Sequence, residues 1–352
     1  MTNVLFVVGS TGGHLYPALS IYPYCVKHGH SVTILAPESV KNKLKIDHQN
    51  IYYQADISAS FSSLATFLKN TVEIDGFIKK IDTVVSFGSV FSIPTSLVAK
   101  FKGKKLVLVE QNVLPGRSNR FLSLFAQKIV VPFEESTSFL LFKNKAIVML
   151  TPIRQEFLDN IGSSNVFNGS DGILFFGGSL GSRTINELAI FFLKQNILPD
   201  FKRIFIITGN KLFGEFLEKL RNESIFNYSN LDFEEIDFNY HGRWVKVLKY
   251  SKDIMNLYNN SHLVISRAGG STISEVLYLK KRALLIPYPY AMDNHQLLNA
   301  RVACQYAKFL DYLEEPVDLN KFVEKLDNLK SSVLEYSKQV RFFDYDIFLS
   351  LI

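Results

Sequence analysis

The sequence predicts an α/β protein made of two doubly wound halves, and three observations carry that expectation. Short runs of branched apolar residues, typical of buried parallel strands, recur with helix-length segments between them. A glycine-rich loop follows the first such run of each half, at Gly9–His14 and at Gly177–Ser182. The length of 352 residues suits two domains of ordinary size.

In the first half, Val4–Val8 is the opening strand, ended by Gly9-Ser10-Thr11-Gly12-Gly13-His14. A helix is expected to open near Pro17, a residue favoured in a first turn. Further strands are expected at Ser31–Leu35, Ile51–Tyr53, Thr83–Phe87, Lys105–Val109, Gln127–Val131 and Ala146–Met149. Breaker-rich stretches after Pro152, at 160–165 and 168–172, suit a domain junction.

The pattern then restarts. Strands are expected at Gly172–Phe176, Arg203–Ile207, Trp244–Leu248, Leu263–Ile265 and Ala283–Ile286. Residues 222–243 read as irregular and receive no element. The tail from Ser332 to Ile352, rich in Phe and Tyr, is expected to be a helix that packs on a neighbouring domain.

Composition narrows the function classes. The chain is 47% hydrophobic and 20% charged, as soluble globular proteins are. Two distant cysteines, Cys25 and Cys304, argue against a disulfide framework and fit a reducing compartment. The first 26 residues lack charge, but glycines, Pro17 and Pro23 break the run and no basic segment precedes it. The expectation is a cytoplasmic chain that does not span a membrane. The net charge of +6 is uneven, because residues 1–150 hold 16 Lys and Arg against 9 Asp and Glu. A basic first half suggests an anionic partner: nucleic acid, an anionic membrane surface or a phosphorylated substrate.

The most informative stretch is Leu263 to Glu275, a buried strand followed by Gly269-Gly270 and a helix start. The spacing of Thr272 and Glu275 matches a capping box, and the first-turn amides would suit a phosphate. Glu275 has two possible roles, closing that cap or accepting hydrogen bonds from a ribose diol, and spacing alone favours the cap. Pro287–Ala300 is a second strand exit leading into a polar helix start. Asp293 with Gln296 is a possible capping pair, and His295, Gln296 and Asn299 fall on one helical face. They could bind sugar hydroxyls or simply be solvated. Adjacent strand exits bearing polar groups form a ligand crevice in an open α/β sheet.

The Gly9–His14 loop is G-x-x-G-G-H, neither a dinucleotide fingerprint nor a P-loop. It could be a plain turn, but His14, between strand end and helix start, could take a proton from a hydroxyl. The Gly177-Gly178-Ser179 loop is equally open to a turn or a phosphate cradle. Phe61, Leu64, Leu68 and Val72 form a helical stripe that is ordinarily core. With Lys69 and the cluster Lys100, Lys102, Lys104 and Lys105, it could instead be a membrane-surface element. No nucleic-acid motif is recognisable, so nucleic acid carries little weight as a partner.

Together these motifs resemble the MurG family of peptidoglycan glycosyltransferases. The likeness runs from Gly9 to about Ala300 and is most specific from Asp253 onward. It is carried by Arg267-Ala-Gly-Gly-Ser-Thr-Ile-Ser-Glu275, Pro287-Tyr-Pro and Asp293-Asn-His-Gln296-x-x-Asn299-Ala300. Supporting matches are Ser10–His14 with Pro17-Ala18, Glu110-Gln-Asn112, Pro152-Ile-Arg154 and Gly177-Gly-Ser179-x-Gly181. Some positions depart from the family pattern: Val109, Thr151, Gly270, and Ser89 in place of a second glycine in the acceptor loop.

The resemblance implies a GT-B fold, two Rossmann-like domains facing across a cleft. It assigns 1–152 plus 333–352 to an acceptor and membrane-facing domain and 153–332 to the donor domain. Glu275 would bind the ribose, and Gly270, Ser271, Thr272 and Ser179 the diphosphate. Tyr250 and Ser251 would flank uracil. Gln296, Asn299 and Asn112 would hold N-acetylglucosamine, and Arg154 would lie beside the nucleotide. Thr11, Gly12 and Gly13 would close on the donor, with His14 as the base. The implied reaction moves N-acetylglucosamine from UDP-N-acetylglucosamine to the 4-hydroxyl of undecaprenyl-diphospho-muramoyl-pentapeptide, with inversion. No cofactor is expected to be required; divalent metal would at most stimulate, because no Asp-x-Asp pair accompanies the donor motifs. The expected location is the cytoplasmic face of the bacterial inner membrane. A UDP-N-acetylglucosamine 2-epimerase, another GT-B transferase and a non-catalytic UDP-sugar-binding module remain as alternatives. An epimerase would act without the lipid acceptor, and a module would bind without turnover.

Overall fold

The computed structural model describes residues 1–41, 50–57, 64–153, 157, 171–178, 181–227, 234–251 and 253–352, with no side-chain description at 64–68 and 70. The chain divides into two compact units, Met1–Gln155 with Val340–Ile352, and Glu156–Gln339. Residues 333–339 of the tail thus stand with the second unit.

The first unit is a parallel sheet in the order β3-β2-β1-β4-β5-β6-β7. Its strands are β1 Asn3–Val7, β2 Ser31–Pro37, β3 Ile51–Gln54, β4 Thr83–Ser86, β5 Lys105–Val109, β6 Lys128–Val131 and β7 Ala146–Val148. Helices α1 Gly12–Lys27, α2 Leu64–Ile78, α3 Ser92–Phe101 and α4 Arg117–Leu122 alternate with them. Leu5, Val7, Val84, Leu106, Leu108 and Ile129 form the core beneath these helices. Because β2 and β4 flank β1, strand order reverses between β1 and β4. Ligands bind outside the carboxyl ends at such a reversal, so the Gly9–His14 and Gly88–Phe91 loops form the crevice.

Two expectations change here. Helix α1 begins at Gly12 rather than near Pro17, and both Pro17 and Pro23 lie inside it. Each missing N–H removes only one helical hydrogen bond, and the glycine loop leads directly into the first turn. The tail is helical only at Tyr345–Ser350 (α11), on the first unit, where Tyr24 donates to Asp346 at 2.7 Å and packs at a tilt against the Tyr345 ring.

The second unit repeats the architecture in the order β10-β11-β9-β8-β12-β13-β14. The strands are β8 Gly172–Phe176, β9 Arg203–Ile207, β10 Glu235–Tyr240, β11 Arg243–Leu248, β12 Leu263–Ser266, β13 Arg282–Leu285 and β14 Leu310–Tyr312. The helices are α5 Arg183–Lys194, α6 Phe213–Asn222, α7 Ile254–Asn259, α8 Gly270–Tyr278, α9 His295–Tyr306 and α10 Leu319–Lys330. Order reverses between β8 and β12, which brings the Gly177 and Gly269 turns together at the carboxyl edge.

The stretch read as irregular contains β10, antiparallel to β11. His241 (φ 49°) and Gly242 (φ 72°) turn the chain between them, both left-handed as a tight hairpin requires. The alternation of Ile236, Phe238 and Tyr240 with Glu235, Asp237 and Asn239 was a legible signal for a half-buried edge strand.

Candidate active site

In the first unit, the β1–α1 loop presents a half-buried His14, whose Nδ1 lies 3.2 Å from Thr11 Oγ1. The imidazole packs on the backbone of Gly9, where a Cβ would meet Nδ1 at 2.4 Å. Its Nε2 faces Gly88, a left-handed residue (φ 94°) whose imagined Cβ lies 3.4 Å from His14 Nε2 and 3.3 Å from Asn119 Nδ2. Only glycine leaves this space open while adopting that φ. The next residue, Ser89, also takes a left-handed conformation (φ 84°). Its carbonyl accepts from Ser92 Oγ at 2.8 Å, which ties the loop to the start of α3.

Glu110 organises the adjoining loop. Its buried Oε1 accepts from the Gln111 and Asn112 amides and from Asn112 Nδ2, at 2.9, 2.8 and 3.1 Å. Oε2 accepts from Gly116 N and Asn119 Nδ2, both at 2.9 Å. Asn112 thus reaches the loop with its amide nitrogen already turned toward Glu110. The organising role of Glu110 and the placing of Asn119 beside His14 were not foreseen. The Glu-Gln-Asn run was the only signal, and the partners of Glu110 become visible only after folding.

In the second unit, α8 starts at Gly270, with Gly269 as its N-cap and no side-chain cap. The capping-box reading of Thr272 and Glu275 is therefore corrected. The helix opens two residues before Thr272, because the glycines carry the turn. Glu275 lies in the middle of the helix, buried, and Oε2 accepts from the Tyr258 hydroxyl at 3.1 Å. Tyr258, another residue not foreseen, is wedged edge-on between Phe157 and Phe176. First-turn amides of a helix have no intrahelical acceptor, which makes the α8 mouth a seat for an anion. The buried hydroxyls of Ser266, Ser271 and Ser274 have no hydrogen-bond partner there. Across the strand reversal, Gly177 packs so closely on Ser182 that a Cβ would meet its nitrogen at 2.3 Å.

The pairing of Asp293 with Gln296 is also corrected. Asp293 and Asn294 are both left-handed, and α9 begins after them without a side-chain cap. Gln296 Oε1 instead accepts from Tyr288 N at 3.0 Å, tying the helix to the β13 exit. His295, Gln296 and Asn299 do not form one solvated face. His295 Nδ1 contacts Met292 O at 2.8 Å, whereas Asn299 is 1% exposed and donates to Ala268 O at 3.1 Å. Tyr250 is exposed and Ser251 half-buried just past β11. Arg154 and Ser179 lie outside the described residues.

On the first unit, Phe61 and the side chains of Leu64 and Leu68 also lie outside the described residues. Val72 is exposed, while Ile74 and Ile78 face the core, so Val72 does not belong to the buried face of α2. The basic cluster is partly neutralised. Lys102 pairs with Asp75 at 2.7 Å, Lys104 donates to Lys79 O at 3.1 Å, and the exposed Lys69 sits 3.7 Å from Glu73. Lys100 and Lys105 are half-buried. Phe101 among them is 82% exposed. Phe121, Leu124, Leu141 (74%) and Phe142 are further exposed apolar side chains. Lys145 lies over the Phe142 ring at 4.6 Å and donates to Ser123 O and Leu124 O. Burial, followed by repulsion from Lys100, lowers its pKa. None of the described helices is long and apolar enough to cross a membrane. Among the described residues no His, Cys, Asp and Glu side chains cluster as a metal site.

Comparison with known proteins identifies the family and the fold. Residues 4–131 match the glycosyltransferase family 28 N-terminal domain and residues 172–347 the corresponding C-terminal domain. A UDP-N-acetylglucosamine–N-acetylmuramyl-(pentapeptide) pyrophosphoryl-undecaprenol N-acetylglucosamine transferase of Thermoanaerobacter sp. (strain X514) is 30% identical, over 95% of this chain and 92% of that protein. The crystal structure of Acinetobacter baumannii MurG superposes with a TM-score of 0.73 at 24% identity, covering 100% of this chain and 99% of that one. The UDP-GlcNAc 2-epimerase of Neisseria meningitidis, bound to UDP-GlcNAc, shares the fold at a TM-score of 0.65 and 16% identity, with 99% of each chain covered.

Proposed function

This chain belongs to the MurG branch of glycosyltransferase family 28, and from that premise we infer that it is a UDP-N-acetylglucosamine-dependent hexosyltransferase of peptidoglycan synthesis. It transfers N-acetylglucosamine to the 4-hydroxyl of undecaprenyl-diphospho-muramoyl-pentapeptide. The observation that carries the donor half of this reading is the α8 mouth, where unpaired amides and buried serine hydroxyls lie one turn from a buried, oriented carboxylate. A nucleoside diphosphate fits that combination, with phosphates on the amides and the ribose diol on Glu275.

The hard part of the reaction is the negative charge that develops on the departing diphosphate. Amides already aimed at it stabilise that charge without reorganising. Gly270, Ser271, Thr272 and Ser179 serve there, with Arg154 beside the nucleotide and Tyr250 and Ser251 at the base. Gln296, Asn299 and Asn112 position the sugar; Asn299, being buried, does so mainly by holding the Ala268 turn. Thr11, Gly12 and Gly13 close on the donor. His14 removes the proton from the attacking hydroxyl, which displaces UDP from the opposite face of the sugar and inverts the anomeric centre. Thr11 supports the imidazole orientation that this needs. In this scheme no resident metal takes part in the transfer, and divalent cations act only as stimulants.

The acceptor lipid requires a membrane surface. Peripheral attachment at the cytoplasmic face of the inner membrane is supported by the basic first half and by the exposed Phe101, Phe121, Leu124, Leu141 and Phe142 beside Lys100 and Lys145. Such a surface combines apolar insertion with attraction to anionic lipid.

Labelled UDP-N-acetylglucosamine incubated with the lipid-diphosphate muramyl acceptor should yield a β-linked disaccharide-lipid. Label released as a free 2-epimer without acceptor would favour the epimerase reading, and binding without turnover the module.

A further inference from the structure

We propose that Arg267 is a positioning residue for the sugar end of the donor, acting through Tyr288 and Gln296, and not a ligand of the diphosphate. The proposal rests on the donor-site reading above. An arginine two residues before the glycines of an anion-binding turn would ordinarily be assigned to the phosphates. Here Nη1 of the guanidinium is committed elsewhere. Nη1 donates to Ile286 O at 3.0 Å and to Pro287 O at 3.3 Å, and it forms an ion pair with Glu315. The side chain is only 11% exposed, and the guanidinium carbon lies 5.3 Å from the centre of the Tyr288 ring.

The backbone explains why a side chain is needed there. The rung from Ile286 N to Ser266 O, 2.7 Å long, lies at the end of the β12–β13 ladder. Beyond it β12 turns into Gly269 while β13 runs on to Pro287, so the carbonyls of Ile286 and Pro287 lose their strand neighbour. Arg267 supplies donors past the end of the ladder, and Glu315 balances its charge in a half-buried setting. The segment it fixes leads straight into Tyr288, whose amide donates to Gln296 Oε1. Holding that oxygen on the backbone presents the Gln296 amide nitrogen as the group available to a sugar hydroxyl or carbonyl. Asn299, donating to Ala268 O, ties the same helix to the neighbouring turn. Arg267 and Asn299 thus hold the β12 and β13 exits and α9 in one register, and Gln296 depends on both.

Three variants test this: Arg267→Lys, Arg267→Gln and Glu315→Gln. Their affinity for UDP and for uridine is measured by calorimetry, and their KM for UDP-N-acetylglucosamine in the transfer assay. The expected result is a KM raised by about tenfold or more in the Arg267 variants, with UDP affinity within about twofold of wild type. Glu315→Gln, which touches no group near the phosphates, should raise KM in the same direction. Arg267 variants that lose about tenfold in UDP affinity while uridine binding is unchanged would overturn the proposal, since they identify a phosphate ligand. So would a Glu315→Gln protein with wild-type KM. A wild-type chain that binds neither UDP nor UDP-N-acetylglucosamine overturns the donor-site reading and this proposal with it.

Discussion

The Tyr258 hydroxyl donates to Glu275 Oε2 at 3.1 Å, joining α7 to α8 beneath the anion-binding turn. The carboxylate is therefore aimed before any ligand arrives, which suits the ribose-binding role proposed for it. Tyr258→Phe should raise the KM for UDP-N-acetylglucosamine by roughly three- to tenfold with a smaller change in kcat, as loss of one hydrogen bond to a charged group does. Glu275→Ala should raise it further. An unchanged KM in a folded Glu275→Ala protein would remove Glu275 from ribose binding.

His14→Ala should lower kcat by roughly 10²–10⁴ while UDP affinity stays close to wild type. Thr11→Val, which removes the hydroxyl 3.2 Å from Nδ1, should give a smaller loss of the same kind. Steady-state kinetics with calorimetry of UDP binding checks both. Near-wild-type turnover in His14→Ala would exclude it as the base.

Lys281 is 3% exposed and donates to Ser261 O at 2.9 Å, and burial, followed by repulsion from Arg282, lowers its pKa to about 8. The unfolded chain binds this proton more tightly than the folded one, so the lysine destabilises the fold fully below about pH 8. The penalty is relieved as pH rises from about 8 toward 10.5, the ordinary value. Its full size is on the order of 3 kcal/mol. Denaturant titrations of wild type and Lys281→Met across this range should show the wild type gaining stability relative to the variant. A pH-independent difference would contradict the shift.

Leu141→Glu with Phe142→Glu should weaken binding to vesicles containing anionic lipid, and Lys145→Glu should weaken it further at low salt than at high salt. The expected loss is about fivefold per charge near the surface, read by vesicle co-sedimentation. Turnover on a water-soluble acceptor should be spared. Vesicle binding unaffected by all these changes would move the membrane surface elsewhere.

Removal of divalent cations with a chelator should leave a substantial fraction of turnover, because helix-end amides carry the diphosphate charge. Complete loss, restored by added Mg²⁺, would place a metal in the transition state.

Much of the architecture was legible from the chain alone. Branched apolar runs at regular intervals specify parallel strands buried on both faces, and glycine turns after the first strand of each half mark where ligands can approach. The motif from Arg267 to Glu275 marked the strand, turn and helix start that the structure shows at Leu263–Tyr278, because a phosphate seat needs such a local sequence.

Tertiary structure alone decided the rest, because the deciding partners are far apart in sequence. That Glu275 lies inside its helix and does not close a cap followed from the helix start at Gly270, and the partner that orients it, Tyr258, is seventeen positions away and one helix distant. Arg267 became a carbonyl clamp only once β13 lay beside it and Glu315 came within reach. Local propensity fixes elements and turns, whereas the direction in which a polar side chain spends its hydrogen bonds is set by what burial places around it.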